Sequence, residues 1–156
     1  MDTWQTVLLW VVAFTVFIPS YFFVLGKVSQ KKQSPGLEDG QLKHCSRFAM
    51  NCVCSEYPND KLWYQAPMDI STIERPLEKA KQVVEVMGGD IVAENEHYMA
   101  STFTSSLYKF VDDVEFRLDD SEKLLHIRSA SRVGQHDAEA NKKRVKKFRK
   151  LFLEVD

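Results

Sequence analysis

Hydrophobic and polar positions sort this chain into an apolar amino-terminal run, a polar stretch and a patterned remainder. Thr6 to Gly26, TVLLWVVAFTVFIPSYFFVLG, holds 21 residues without a charge. As a helix rising about 1.5 Å per residue it reaches about 30 Å, the hydrocarbon thickness of a bilayer. No polar stripe interrupts it, as one would in a helix docked on a soluble core. Pro19 predicts a kink that lipid tolerates, because the backbone has no alternative to helix there. Trp4 and Tyr21 lie near the two ends, where interfacial rings are favoured. A cleaved signal peptide fits less well: no lysine or arginine precedes the run, it is long, and no A-x-A-like site follows. Residues 1–27 are therefore expected to be a retained single-pass anchor that meets the lipid bilayer through residues 6–26.

Gly26 to His44 is polar and punctuated by Pro35, Gly36 and Gly40, so residues 28–44 read as a tether. Cys45 to Pro67 has no clear period and reads as ordered coil wrapping a domain. RPLEKAKQVVEVMGGD then predicts a helix, with Pro76 at its first position and Gly88 just past its end. Leu77, Ala80, Val84 and Met87 recur at helical spacing and form one apolar stripe. Alternating segments follow at Asp90 to Glu94, His97 to Thr104, Phe110 to Leu118 and Lys123 to Ser129. A last helix is expected from about Ala138 to Phe152, with Asp137 as N-cap. The order predicts an α+β domain over residues 45–156: a four-stranded antiparallel meander flanked by two helices.

The third and fourth strands carry the chemistry. A four-residue turn at Asp119 to Glu122 sets Phe116 opposite Leu125 and Val114 opposite Ile127 on one face. Glu115 then opposes His126, and Asp113 opposes Arg128, on the other. On this reading apolar pairs point inward and complementary charges outward, each pair contributing about 0.2–1 kcal/mol. A carboxylate beside His126 is expected to raise its pKa. The sharper alternative is a shallow polar site lined by Asp113, Glu115, His126, Arg128 and Arg132, in which Arg128 or Arg132 holds an anionic group bidentately.

Charge changes the picture at both ends. Glu56 to Glu122 carries a balance of −9, whereas Lys123 to Asp156 carries +6. Seven of the ten basic residues in that stretch fall between Lys142 and Lys150. The stripe Val145, Phe148 and Phe152 predicts a helix docked on the sheet with its basic side in solvent. On a tethered domain, Lys142, Lys143, Lys146, Lys147, Arg149 and Lys150 become candidates for contact with anionic headgroups. The acidic remainder argues against nucleic acid. Lys27, Lys31 and Lys32 follow the anchor, so the positive-inside tendency places the domain in the cytoplasm. Three cysteines, Cys45, Cys52 and Cys54, read as free thiols, which agrees with a reducing compartment. With His44 they make a poor zinc spacing, so no metal is expected, and no cofactor signature is present.

FVDDVEFR followed by HIRSASRVG, then NKKRV opening a basic helix, resembles the domain of unknown function 1499 family. MNCVCS, Met50 to Ser55, resembles its upstream Asn-Cys-Val-x-Ser motif. The resemblance runs from about Cys45 to Phe152 and implies a small α+β domain, often membrane-associated, with no established reaction. Gln135 and His136 stand where the family commonly has Tyr-Ser, and Lys142 where an arginine is usual. Candidate ligand-binding residues are Asn51, Cys52, Asp113, Glu115, His126, Arg128, Ser129, Ser131, Arg132, Asp137, Asn141 and Arg144. Ser55, Asp112 and Arg117 match the same motifs. The expected function is binding of a partner protein, lipid headgroup or small anion without catalysis. The alternative is a membrane-tethered enzyme using the hairpin's acids, His126 and arginines.

Overall fold

A computed structural model describes residues 2–154. In chain order the elements are α1 (Thr3–Lys31), β1 (Leu37–Glu38), β2 (Gln41–Leu42), β3 (Cys52–Cys54), β4 (Met68–Asp69), α2 (Pro76–Val86), β5 (Asp90–Glu94), β6 (Tyr98–Thr104), β7 (Val111–Asp119), β8 (Leu124–Ser131) and α3 (Ala140–Glu154). α1 passes through Pro19 and continues beyond the apolar run to Lys31. Its most apolar 18-residue window has a mean hydropathy of 2.3 and no buried residue, so it is long and apolar enough to cross a membrane.

The domain is α+β, as the pattern predicts, but its sheet is larger than the four expected strands. β5 to β8 form the antiparallel meander, and β3 and β4 extend it by pairing with different parts of β8. Neither added strand exceeds three residues. Segments so short show no period, which is why Cys45 to Pro67 reads as coil.

The β7–β8 register differs from the expected one by two residues. Asp119 pairs with Leu124, Phe116 with Ile127, Arg117 with His126 and Glu115 with Arg128, while Asp113 faces Ala130. The turn therefore occupies Asp120 to Lys123. Lys123 closes it with φ 55°, and the Asp119 carboxylate accepts from the backbone N–H groups of Ser121 and Glu122. A two-residue slip keeps every side chain on its expected face. Only the partners change.

One face of the sheet carries Val114, Phe116, Leu125 and Ile127, which pack with Val83 and Val84 of α2 and Val145, Phe148 and Phe152 of α3. α2 lies where expected, capped at Gly88 with φ 83°. α3 begins two residues later than expected because Ala138 and Glu139 both adopt positive φ. The Asp137 carboxylate still caps it, accepting the Asn141 backbone N–H at 2.8 Å.

The other face overturns the expectation of charges pointing to solvent. Asp113, Glu115, His126 and Arg128 are all buried there, Glu115 completely. Residues 33–66 cover them. Leu42, Cys45, Cys52, Cys54, Trp63, Tyr98, Ala100 and Ala130 form a second apolar cluster under this cover. The expectation of three free thiols is also overturned: Cys45 and Cys52 form a disulfide with Cα atoms 5.8 Å apart, and Cys54 alone is free. A turn closed by the Ala49 N–H on the Ser46 carbonyl lies between the paired cysteines. A loop this short constrains the unfolded chain by about 2–3 kcal/mol.

Candidate functional site

β7 and β8 present alternate residues to opposite sides, so the candidate residues divide into two groups. Asp113, Glu115, His126, Arg128 and Arg132 share the covered face. Ser129, Ser131, Asn141 and Arg144 meet on the helical side.

On the covered face each acid is bound by an arginine and by the segment expected to be a tether. Glu115 binds Arg128 Nη1 through Oε2 at 2.7 Å, while its Oε1 accepts from the Tyr98 hydroxyl and the Gly36 N–H. Burial and this carboxylate push the Tyr98 phenol above its usual pKa. Asp113 takes the Arg132 guanidinium through both oxygens and the Ser34 hydroxyl at 2.6 Å. Glu56 receives Arg117 at 2.6 and 3.0 Å and the Leu42 N–H at 3.2 Å. Residues 34–42 thus lie along a row of buried ion pairs, and Lys32 continues the row by donating to the Arg132 carbonyl.

His126 departs from expectation in both neighbour and titration. Its Nδ1 lies 3.1 Å from Ser55 Oγ and 3.3 Å from Glu56, not beside Glu115. Burial moves its pKa below the usual value, outweighing the opposing charge of Glu56, and Arg117 adds to the lowering. The neutral imidazole is thereby favoured.

On the helical side Asn141 is the hub. It is buried, and its Nδ2 donates to the Asn51 carbonyl, Ser131 Oγ and Asp137. Its Oδ1 accepts from Ser129 and from Arg144 Nη1. Arg144 also reaches Asp112 at 2.7 Å and lies over the Phe103 ring. Asn51 holds the following loop by donating to the carbonyls of Val133 and Gly134. These contacts tie β3, the end of β8 and the start of α3 together.

Asn51, Cys52, Arg128 and Ser131 converge on one open cleft of about 650 Å³. The Cys45–Cys52 disulfide and Arg47 also line it. Lys43, Arg47 and Arg128 bring positive charge to it; Lys43 is paired with Glu38 and Arg128 with Glu115, so Arg47 is the cation there without an acidic partner among the described residues. Arg128 Nε is buried without a hydrogen-bond partner among the described residues. Asp113, Glu115, His126, Ser129, Arg132, Asp137, Asn141 and Arg144 do not line this cleft. Sequence reasoning missed Glu56, Tyr98 and Arg47. Only Glu56 carried a signal, following the MNCVCS motif directly.

The basic helix is divided as well. Lys142, Lys143, Lys146, Lys147 and Lys150 are exposed. Arg149 is half-buried near Tyr64, and desolvation lowers its pKa. Cys54 sits under the cover with its thiol pushed up to about 11 by burial, which disfavours the thiolate near neutral pH. Among the described residues no group of three or more His, Cys, Asp or Glu side chains is placed to hold a metal ion.

A helix long and apolar enough to span a bilayer, joined to an α+β domain with a buried polar face, defines the class. Residues 41–152 match the family described as Protein of unknown function (DUF1499), and the chain belongs to that family. No curated protein matches the chain.

Proposed function

We propose that this is a single-pass membrane protein whose domain binds an anionic group, a phosphate or carboxylate, in the Arg128 cleft without catalysing a reaction. The observation that carries this reading is Arg128 itself: a guanidinium bound to a buried acid through one nitrogen, with its Nε unpartnered among the described residues, on the wall of a cleft that Arg47 also lines. Guanidinium groups favour planar anions because their donors are fixed in a fork. The acids that an enzyme would use as bases support binding over catalysis. Asp113, Glu115 and Glu56 are each engaged by an arginine, and His126 is buried against Ser55 and Glu56.

The anion could be free in solution or carried by a lipid headgroup. The exposed lysines of α3 favour a membrane source, each contributing about 1 kcal/mol near an anionic surface. The side on which the domain lies belongs to the same proposal. Lys27, Lys31 and Lys32 favour the cytoplasm. The Cys45–Cys52 bond favours an oxidising compartment, where disulfides persist. We give the disulfide more weight, because three charges set only a statistical bias.

Thermal unfolding of the full chain in neutral detergent tests the cleft, with inorganic phosphate in one arm and anionic-lipid micelles in the other. The expected result is a higher midpoint in at least one arm, reduced in Arg47→Ala, whose side chain is exposed and unpaired in the described residues. A free anion raises the midpoint in both arms and a headgroup site only in the lipid arm. No rise in either arm overturns the proposal, and so does a rise that Arg47→Ala and Arg128→Lys both leave intact.

A further inference from the structure

The end of α1 is locked to the domain. Gly26 is buried so closely against the β6–β7 loop that a Cβ there would stand 1.9 Å from the Tyr108 carbonyl oxygen. Ser29 Oγ accepts the Val111 N–H, and Gln30 donates to the Lys109 carbonyl. Phe22 packs against the Tyr108 ring in a tilted arrangement and meets Phe110 edge-on, with ring centroids 5.4 and 6.3 Å away. Because this attachment begins inside the charge-free run, the domain is held at the level where that run ends.

A cavity of about 280 Å³ lies at this junction. Phe22 and Leu25 of α1 line one side; Phe110, Val111, Val133 and Ala140 form the apolar part of the domain side, with Asp112, His136 and Asp137 among the polar residues at its border. Apolar surface predominates in its lining, and of its two carboxylates Asp112 is held by Arg144 and Asp137 caps α3. The volume falls just below the range of about 300–1,000 Å³ typical of pockets for drug-sized ligands, enough for part of one hydrocarbon chain but not a whole lipid. Phe22 and Leu25 belong to the segment long enough to span a bilayer, so the cavity continues the apolar surface of that helix into the domain.

We infer that this junction cavity takes the hydrocarbon chain of a bilayer lipid. The inference rests on the membrane-spanning reading of α1 and is independent of the Arg128 cleft. Its occupant follows from position: the cavity's helix wall comes from the last turns of the uncharged run, where lipid chains are the surrounding solvent. A chain threaded between α1 and Phe110 replaces water on apolar surface and braces the joint between anchor and domain.

The test uses the full chain reconstituted into phosphatidylcholine vesicles whose lipid carries a photoactivatable diazirine in one acyl chain. After irradiation, peptide mapping is expected to find label on α1 and on domain peptides containing Phe110 or Val133. Val133→Phe and Ala140→Phe, which fill the cavity from two different elements, are expected to lose the domain label and keep the α1 label. Unfolding midpoints identify a variant that has lost its fold, and the other variant then decides. Label confined to α1 overturns the cavity assignment, as does domain label that both folded variants retain. Protein–protein cross-links at Phe110 or Val133 without lipid label also overturn it, because a second copy then fills the space. An unlabelled α1 overturns the membrane reading together with the inference.

Discussion

Glu115 and Arg128 face each other across β7 and β8, the carboxylate fully buried and the guanidinium bound to it at 2.7 Å. A buried pair of this kind stabilises little beyond what its desolvation costs, yet breaking it leaves a charge without a partner. Arg128→Met is therefore expected to lose about 3–5 kcal/mol of unfolding free energy, because Glu115 is left fully buried without its countercharge. The double variant Glu115→Gln, Arg128→Met removes both charges and is expected to recover much of that loss. Denaturant unfolding of the three proteins checks this. Simple additivity of the two substitutions would show that no orphaned charge is involved.

His126 predicts the pH response. Its pKa is depressed in the folded state relative to the ordinary value of 6.5. The unfolded chain therefore binds a proton more readily, and the stabilising contribution is complete above that value and lost as pH falls below it. The unfolding midpoint is expected to drop between about pH 7.5 and about pH 5.5, with a shallower drop in His126→Asn. Equal slopes in the two proteins would assign the response to other groups.

Thiol counting tests the disulfide and the compartment together. The native chain is expected to react with no maleimide, because Cys54 is buried with its pKa pushed up to about 11. Unfolding without reductant exposes one thiol, and unfolding with reductant exposes all three. Mass spectrometry of protein taken from cells quenched in acid reads these states directly. Three reactive thiols before any reductant is added would place the domain in a reducing compartment.

Gly26→Ala should separate anchor from domain. The new methyl group cannot stand 1.9 Å from the Tyr108 carbonyl, and the obstacle is backbone that side-chain rotation cannot relieve. The junction must open, releasing the Ser29 and Gln30 contacts. Limited proteolysis is expected to cut residues 32–40 several-fold faster, with the rest of the domain unchanged. A wild-type cleavage pattern would mean that the junction bears no load.

Asn141→Ala removes the hub linking Asn51, Ser129, Ser131, Asp137 and Arg144. Buried donors and acceptors left unpaired cost about 1–3 kcal/mol each. The fall in stability is expected to exceed that of Lys142→Ala next to it, whose side chain is exposed. Equal midpoints for the two variants would remove Asn141 from this role.

Where a residue's environment follows from its own stretch of chain, the sequence was a good guide. The apolar run, the α2 cap at Gly88, the stripe of α3 and the alternation along β5 to β8 are all local patterns. The division of Phe116 and Glu115 onto opposite faces is also local, because the strand period is two.

Whether Glu115 meets solvent was not local. The same alternation suits a wet face and a face covered by more chain, and residues 33–66 have no period that would announce them as a cover. The partner of Cys45, seven positions from Cys52, depended on a turn whose residues carry no distinctive signal. Arg128 likewise became a cleft residue only when β3 paired with β8 and brought Asn51 and the disulfide beside it. The sequence by itself determined which residues are apolar, which are charged and how they alternate. The tertiary structure alone decided which of two equivalent faces was covered and by what, because that choice depends on contacts between segments some 80 residues apart, as between Gly36 and Glu115.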